Sequence, residues 1–527
     1  MKTKVFPSIF NDIIGPIMRG PSSSHTAASW RIAKTCVQFL KDELKEAIIE
    51  INKKGVWASN YREQGTAMGM DGGLLGIDIT DERIINPDLI AKQKGISITY
   101  RISNFQADHP NTIRITLIGK SGEKAEFLAV STGGGMFEIR QYNGYVINIK
   151  GDYYYLIISV NKDLEQKEIK AIQDFLPQNT IITFAENKQG KLILARSYHP
   201  FHHKISDELR KLTEIGKVIH INPILPILSG NESNYPFTDI ESLISYANLK
   251  KYSLGKLGLI YESCRSGLPE KSLILKMKEI IQIVENGIAT GLKGTKYKDR
   301  ILQQQSHLIE KAENDGVIKT SPLVNRIIAN ITALMESKSA MQVIVALPTA
   351  GSCGTFGGTV KAFCDVNHIG EEKKIMSYFA GGLIGIFFAN GPGFSAEKYG
   401  CQVETGAAAT MTAAALAELS DGDAEQAVSA ASMALQNTIG LICDPVADRV
   451  EVPCLGRNVT AGMNALAASS MALSGFDPVI PIDQVIDTVK SVGKDIPLAL
   501  RNTGKGGLSI TPRAKEIKNM LRNHSEK

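Results

Sequence analysis

Three of the seven cysteines stand beside residues that allow sharp turns, and their thiols suit metal chemistry. Cys401, Cys443 and Cys454 follow the pattern C-x41-C-x10-C, each with a glycine or proline within two residues. Such turns can aim several sulfurs at one metal centre. A lone cysteine in an alanine-rich segment is more often a small buried apolar residue, and no Cys-x-x-Cys pair favours a zinc ribbon or ferredoxin-type cluster. The spacing alone therefore leaves both packing and metal binding open.

Polar side chains form a second group of candidates. The stretch 21–26 (Pro-Ser-Ser-Ser-His-Thr) offers hydroxyls and an imidazole at a predicted helix start, where serines cap helices and free amides can receive a carboxylate. The loop 348–354 could approach a small carboxylate with its backbone, and Ser395 and Glu397 come shortly before Cys401. A structural interpretation competes in each case: a helix cap, a plain turn, or a solvated surface charge.

Six separated segments match the motifs of one enzyme family, in the family's order. They are residues 15–26, 131–135, 346–354, 400–406, 441–448 and 450–458. Through these segments the chain resembles the iron–sulfur-dependent L-serine dehydratases over most of its length. Both halves of that family, a β-type and an α-type domain, are present in one polypeptide.

The resemblance implies a [4Fe–4S] cluster held by Cys401, Cys443 and Cys454, with one iron lacking a protein thiolate. An open iron acts as a Lewis acid, so it would make the β-hydroxyl of L-serine a tolerable leaving group. A base would then remove the α-proton, and the resulting 2-aminoacrylate would yield pyruvate and ammonia. The chain has no Ser-x-Lys-x-Arg-Gly stretch to suggest the other type of serine dehydratase, so we expect no pyridoxal phosphate.

The resemblance also assigns roles to polar residues. We expect His25 to be the general acid–base group, because an imidazole titrates near neutral pH. Asp444 and Arg457 flank cluster ligands and are expected either to support those ligands or to clamp a carboxylate. We expect Cys353 to be a packing residue. The expected substrate-binding residues are Ser23, Ser24, Thr26, Thr349, Gly351, Ser352, Ser395 and Glu397.

The sequence departs from the family pattern at a few positions. Gln64 stands where many members carry histidine, and a neutral amide cannot act as a base. Ala350 and Gln436 occupy positions that often hold asparagine and histidine. The C-terminus lacks the terminal cysteine that in some relatives occupies the open iron. These differences leave the identity of the base and the exact substrate open.

The elements that position these residues predict an α+β protein with three parts. Residues 1–148 mix alternating strands with helices and resemble the β-type domain. Residues 149–198 read as strand, helix, strand, strand, which suggests a small ACT-like regulatory segment. Helical periodicity and alanine-rich stretches predict an all-helical catalytic domain over 205–520. Residues 197–203 are the predicted linker.

Composition excludes several other classes of protein. The chain is 43% apolar and 21% charged, and its net charge of +5 is spread over 527 residues, which disfavours nucleic-acid binding. We found no secretory signal and no apolar run of about 20 residues, so we expect no membrane span and a cytoplasmic location. Free thiols in a reducing compartment agree with seven cysteines. Family resemblance implies a homodimer.

The leading hypothesis is therefore an L-serine ammonia-lyase acting on a small amino-acid substrate. A second hypothesis keeps the cluster chemistry but changes the substrate to L-threonine, L-cysteine or another β-substituted amino acid. A third, from another class, is a non-catalytic sensor of amino acids or redox state that uses the ACT-like segment and the cluster.

Overall fold

The computed structural model describes most of the chain. The described residues are 6–160, 166–188, 190–202, 204–210, 215–230, 235–298 and 300–525. Within these ranges every helix is either too short or too polar to span a lipid bilayer. The architecture is α+β, as expected: two sheets lie in the first part of the chain and helices dominate the remainder.

The N-terminal part is a six-stranded sheet with helices against one face. The strand order is β3-β2-β4-β5-β6-β7, with β2 and β3 parallel and the other neighbours antiparallel. The strands alternate apolar and polar residues, so one face buries side chains such as Ile49, Ile115 and Phe127. The strands are β2 (Leu44–Asn52), β3 (Ser97–Ser103), β4 (Thr112–Gly119), β5 (Lys124–Gly133), β6 (Met136–Tyr142) and β7 (Tyr145–Ile149). The helices are α1 (Ala28–Cys36), α2 (Trp57–Asn60), α3 (Thr66–Leu75) and α4 (Asp88–Lys94).

A four-stranded antiparallel sheet follows, in the order β11-β8-β10-β9. Its elements are β8 (Tyr154–Val160), α5 (Gln166–Phe175), β9 (Ile181–Asn187), β10 (Gly190–Ser197), α6 (Lys204–Arg210) and β11 (Ile215–Ile221). The strand, helix, strand, strand order that we expected for 149–198 is present. The unit also continues through α6 and β11, which completes a β-α-β-β-α-β sandwich.

The predicted linker at 197–203 is corrected by this arrangement. Its described residues connect β10 to α6 inside the four-stranded unit, and Phe201 is buried in the core of that unit. His203 lies outside the described residues. A proline and several histidines resembled a solvated linker, but the following strand β11 pairs back onto β8 and makes the segment internal.

Helices form the rest of the molecule. All residues of α15 are buried, because its alanines and glycine let neighbouring helices approach closely. The apolar run at 379–389 lies in α13, a buried helix as predicted. The helices are α7 (Ile240–Lys250), α8 (Leu254–Ser266), α9 (Glu270–Lys293), α10 (Ser306–Asn314), α11 (Pro322–Ser339), α12 (Cys353–Val366), α13 (Glu371–Asn390), α14 (Ala396–Tyr399), α15 (Thr405–Leu419), α16 (Ala424–Gln436), α17 (Cys454–Leu473), α18 (Ile482–Asp495) and α19 (Pro512–Ser525).

The N-terminal segment joins the two halves. Its strand β1 (Ile17–Met18) pairs with β12 (Ile344–Val345), so residues 15–27 lie beside the loop that follows β12. Strands β11 and β12 fall within 205–520, where we expected helices alone. Each pairs with a strand from outside that range, which a local sequence pattern cannot reveal.

Candidate cluster and substrate site

Cys401 follows a glycine whose backbone conformation favours glycine. Gly400 has φ +77°, and a Cβ placed there would lie 2.7 Å from the carbonyl oxygen of Leu441. The amide of Gln402 donates a hydrogen bond to that same carbonyl at 3.1 Å. The segment carrying Cys401 is thereby held directly against the segment carrying Cys443.

Cys443 is held through its backbone by the C-terminal region. Its amide donates to the carbonyl of Leu500, and its carbonyl accepts from the amide of Asn502, both at 2.8 Å. These two bonds fix the cysteine within an otherwise irregular stretch of chain.

Cys454 is the first residue of α17, and Asn458 connects it to another loop. The Asn458 side-chain amide donates to the carbonyls of Cys454 at 2.7 Å and Gly351 at 2.8 Å. Asn458 Oδ1 accepts from the Thr355 amide at 2.9 Å. The predicted loop 348–354 therefore lies against the helix that carries Cys454.

All three cysteines are free thiols and are buried. The thiol hydrogen bond from Cys443 and the nearby guanidinium of Arg457 lower the pKa of Cys401. That hydrogen bond and burial raise the pKa of Cys443, and burial raises the pKa of Cys454 to about 12. Among the described residues, the Sγ atoms of Cys401 and Cys443 and a carboxylate oxygen of Glu404 lie within 4.8 Å of one another, which suits a metal. Cys454 lies outside this group of three and reaches the other two thiols electrostatically. The Cys401 and Cys443 donors fit a thiolate-bound iron centre, whose binding requires the thiols to lose their protons.

Arg457 supports this group rather than standing free to clamp a substrate. Its Nη1 lies 3.9 Å from the Cys401 sulfur and donates to the Ile442 carbonyl at 2.9 Å. Its Nη2 donates to Asp444 Oδ1 at 2.7 Å, while Asp444 Oδ2 accepts from the Leu508 amide at 2.7 Å. The Arg457 guanidinium and the Asp444 carboxylate are therefore both occupied in holding together the segments that carry Cys401 and Cys443.

Two charged residues next to the thiols were not among the sequence predictions. The Glu404 carboxylate lies 4.0 Å from the Cys401 sulfur, and burial, then the Cys401 thiol, raise its pKa well above the usual value. Lys338 is fully buried and donates to the Val450 carbonyl. Glu404 could have been suspected from its place in the Cys401 motif. Nothing in the sequence distinguishes Lys338 from the many surface lysines.

His25 sits in a fully buried position with a partner at each ring nitrogen. Its Nε2 lies 3.1 Å from Asn60 Oδ1, which can only accept, so the proton is on Nε2. Its Nδ1 lies 3.0 Å from Ser22 Oγ, 3.2 Å from Ser24 Oγ and 3.8 Å from a Glu397 carboxylate oxygen. Burial lowers the pKa of His25, although the Glu397 charge opposes that shift. The imidazole is therefore neutral and basic at Nδ1.

Glu397 is only 3% exposed, so it is not a solvated surface charge. Its Oε1 accepts from Ser24 Oγ at 3.2 Å and Asn502 Nδ2 at 3.3 Å, and its Oε2 accepts from Ser395 Oγ at 2.9 Å. Burial by itself raises the pKa of Glu397, but the positive charge that His25 gains on protonation and the hydrogen bonds from Ser395 and Asn502 lower it below its usual value. The carboxylate stays ionised beside His25.

The predicted substrate-binding residues divide into two sets. Ser24, Ser395 and Glu397 meet beside His25, whereas Ser23 Oγ accepts from the Ala350 amide at 3.2 Å in the loop after β12. The other hydroxyls are engaged in local structure: Thr26 donates to the Gln64 carbonyl at 3.2 Å, and Ser352 donates to the Leu347 carbonyl at 3.1 Å. Thr349 lies 3.1 Å from the Ser352 hydroxyl, and Gly351 contributes its backbone only.

Buried polar groups on the N-terminal sheet lack partners among the described residues. Both side-chain polar atoms of Asn111 and the hydroxyl of Ser131 are unpaired, and both residues are fully buried. Strand β5 then ends at Gly133 (φ +104°), where a Cβ would lie 2.7 Å from the Ser395 amide. Since buried polar groups in proteins nearly always find a partner, these atoms call for an ordered water or another bound group. The triple glycine at 133–135, which has no nucleotide-binding pattern, allows this close approach.

Comparisons with known proteins identify one enzyme family. Residues 157–509, more than half of the chain, match the family model described as "Serine dehydratase alpha chain". The probable L-serine dehydratase alpha chain of Bacillus subtilis is 33% identical over 285 residues, which cover 54% of this chain and 95% of that protein. L-serine dehydratase 1 of Escherichia coli is 31% identical over 284 residues, covering 52% and 62%. The L-serine dehydratase alpha chain of Peptoniphilus asaccharolyticus is 30% identical over 280 residues, covering 52% and 95%.

A family match of this extent defines the class of protein. The chain belongs to the serine dehydratase alpha-chain family, as its motifs predicted, and it carries the two N-terminal units in the same polypeptide.

Proposed function

We propose that this protein is an L-serine ammonia-lyase that converts L-serine to pyruvate and ammonia. The observation that carries the proposal is the close approach of the buried Cys401 and Cys443 thiols, with Cys454 near enough to influence the pKa of Cys443, in a chain that also buries an imidazole–carboxylate pair, His25 and Glu397. The family match and the names of the relatives support the same activity.

We propose a [4Fe–4S] cluster, and no pyridoxal phosphate, as the cofactor. Cys401, Cys443 and Cys454 would hold it, with Arg457 offsetting part of the negative charge of the thiolates. When bound, such a cluster supplies a Lewis-acidic iron that weakens the carbon–oxygen bond of the substrate's β-hydroxyl.

His25 is the proposed acid–base group for the α-proton. With Nε2 protonated and bonded to Asn60, the lone pair of Nδ1 can accept the proton of the substrate. Glu397, 3.8 Å from Nδ1, then stabilises the imidazolium that forms. Ser22 and Ser24 bond to Nδ1 in the absence of substrate and must yield that nitrogen when the proton is transferred.

Polar groups around the pair suit the two charged ends of an amino acid. Ser23, whose Oγ accepts from the Ala350 amide, can donate its hydroxyl hydrogen to a carboxylate, while the Glu397 and Ser395 oxygens can accept from an ammonium group. A site of this polarity favours a small zwitterion over an apolar ligand.

A substrate panel tests the proposal. The protein is purified and reconstituted with iron and sulfide under anaerobic conditions, and ammonia release is measured with L-serine, L-threonine, L-cysteine and L-alanine. We expect kcat/KM to be highest for L-serine and no release from L-alanine, which lacks a β leaving group. If kcat/KM is higher with L-cysteine or L-threonine, that amino acid would replace L-serine as the proposed substrate. If none of the amino acids releases ammonia, the sensor hypothesis would be favoured.

We also propose a division into a β-type domain over 1–148, a small α+β unit that begins at 149 and ends with β11 at 221 because β11 pairs with β8, and a helical domain after it, together with assembly as a homodimer. Sedimentation equilibrium of the reconstituted protein measures the assembly directly, and a mass equal to that of one chain would refute it.

A further inference from the structure

We propose that Asn502 is a positioning residue that holds Glu397, and through it His25, in a fixed place relative to the Cys443 segment. The inference rests on the acid–base role proposed for His25. It gives a function to a residue of the C-terminal region that lies far from His25 in the sequence.

Asn502 forms a reciprocal pair with Gln64. Gln64 Nε2 donates to Asn502 Oδ1 at 3.0 Å, and Asn502 Nδ2 donates to Gln64 Oε1 at 3.2 Å. The second hydrogen of each amide is also used: Gln64 donates to the Asp448 carbonyl at 3.1 Å and Asn502 to Glu397 Oε1 at 3.3 Å. All four amide hydrogens therefore have acceptors. If the oxygen and nitrogen of either amide were exchanged, oxygen would face oxygen and NH₂ would face NH₂.

The pair is buried, so water does not compete for these bonds. Gln64 is 1% exposed and Asn502 is 6% exposed. The Oε1 atom that Asn502 contacts is the same Glu397 oxygen that accepts from Ser24 and lies 3.8 Å from His25 Nδ1. Two donors thus fix the oxygen that faces the imidazole.

The backbone of Asn502 completes the connection. Its amide donates to the Cys443 carbonyl at 2.8 Å, and its φ of +60° is a left-handed conformation that asparagine tolerates better than most residues. Asn502 thereby contacts the Cys443 segment with its backbone and Glu397, beside His25, with its side chain. Gln64 orients this contact and, as a neutral amide, does not exchange a proton.

The test exchanges the Asn502 donor for an acceptor without changing its shape. Asn502→Asp keeps the left-handed backbone but places a negative charge beside Glu397 in place of the Nδ2 donor. Glu397 is the charged group facing His25, whose other polar neighbours Ser22, Ser24 and Asn60 are neutral. A further negative charge favours the imidazolium, so the pKa of His25 should rise.

Two readouts follow the substitution. In protein labelled with ¹³C-histidine, NMR titration should show the His25 resonance, assigned with His25→Gln, shifting its midpoint to higher pH. In turnover with L-serine, kcat should fall by about 10- to 100-fold while KM changes by less than about threefold. Iron content should stay at the wild-type level, since the backbone bonds to Cys443 remain.

A matched control uses another amide pair. Asn437 Nδ2 donates to Asn464 Oδ1 at 2.7 Å on the exposed surface of the helical domain, so Asn437→Asp should change neither readout. The variants Gln64→Ala and Asn502→Gly are also measured singly and together. The kcat of the double variant should be no lower than that of the slower single variant, because the losses from two residues that act through one contact do not add.

An unchanged His25 midpoint in Asn502→Asp, or additive losses in the double variant, would overturn the proposal. The NMR titration needs no substrate, so it decides the role of Asn502 even if wild-type protein fails to turn over L-serine. That second failure would count against the proposed activity alone.

Discussion

The three cysteines are chemically unequal, and their neighbours explain why. Cys401 has a cation beside its sulfur and accepts the thiol hydrogen of Cys443, which lowers its pKa, whereas burial raises the pKa of Cys454. Arg457 reaches both the sulfur and Asp444 because its guanidinium offers several donors in one plane. Cys401 is therefore the thiol that loses its proton most easily.

The acid–base pair predicts a defined dependence on pH. Burial lowers the pKa of His25, so the imidazole stays neutral until the pH falls below its ordinary value of 6.5. We expect kcat/KM to stay level through neutral pH and to decline only on the acid side, below 6.5. His25→Ala should lower kcat by roughly 10²–10⁴-fold.

Glu397→Gln tests the sign of this assignment. The Glu397 charge raises the pKa of His25, so its removal should move the acid limb to still lower pH while reducing kcat. A limb that moves upward, or that persists in His25→Ala, would assign the titration to another group. Glu371→Gln is the control, because Glu371 lies in an exposed ion pair with Lys278.

The same lowered pKa links His25 to folding stability. The unfolded chain binds a proton at His25 near pH 6.5, while the folded chain does so only at lower pH. The contribution of the neutral, buried imidazole is thus fully present above pH 6.5 and is lost as the pH falls below that value. Chemical denaturation of wild-type and His25→Gln protein between pH 5 and 8 measures the difference.

At the scale of elements, the turns that aim the sulfurs limit what can be substituted. Gly400→Ala would place a methyl group 2.7 Å from the Leu441 carbonyl, on a backbone with φ +77°. The Cys401 segment must then move away from the Cys443 segment. We expect Gly400→Ala to lower the iron content after reconstitution and the Tm of the protein.

Gly456 provides the control for that experiment. It lies in α17 near Cys454, is exposed, and a Cβ there would meet nothing within 4 Å. Alanine is favoured over glycine inside helices by about 1 kcal/mol, so Gly456→Ala should keep the iron content and hold or raise the Tm. Equal losses in both variants would show that the strain at Gly400 does not decide the cluster geometry.

Elements with local patterns could be predicted from the sequence, and those formed by distant pairing could not. The β-α-β-β order after residue 149 and the buried helix at 379–389 follow from alternation and apolar runs. Strands β11 and β12 were missed because their partners lie far away in the chain. The motifs identified the residues that meet at His25, yet Asn502 and Asn111 gave no signal, since their roles depend on burial and on distant contacts.

At the scale of the whole molecule, the site is built from both ends of the chain. The N-terminal segment crosses into the helical domain, where Glu262 accepts hydrogen bonds from Ser8 Oγ and the Ile9 amide, both at 2.7 Å. Glu262 is fully buried and lies 3.6 Å from Arg265. This anchor precedes the β1–β12 pairing, which places His25 beside the helical domain.

Loss of the anchor should destabilise the protein. Glu262→Ala leaves the Ser8 and Ile9 donors and the Arg265 charge without this partner, and breaking a buried ion pair costs about 3–5 kcal/mol. We expect a marked fall in the free energy of unfolding by denaturant. Glu371→Ala, which removes an exposed pair, should change it by less than about 1 kcal/mol. Equal effects would mean that the N-terminal segment is held by its apolar residues alone.

Whether three cysteines hold an iron–sulfur cluster with one iron open to L-serine can be measured by Mössbauer spectroscopy of ⁵⁷Fe-reconstituted protein, prepared anaerobically. We expect the iron and sulfide of one cubane cluster per chain. The spectrum of one iron site should change when L-serine is added and should not change with L-alanine. Cys401→Ser, Cys443→Ser and Cys454→Ser should each abolish the cluster, whereas Cys264→Ser should retain it. A protein without a cluster, or a cluster in which no iron site changes when L-serine is added, would contradict the proposed role of the cluster.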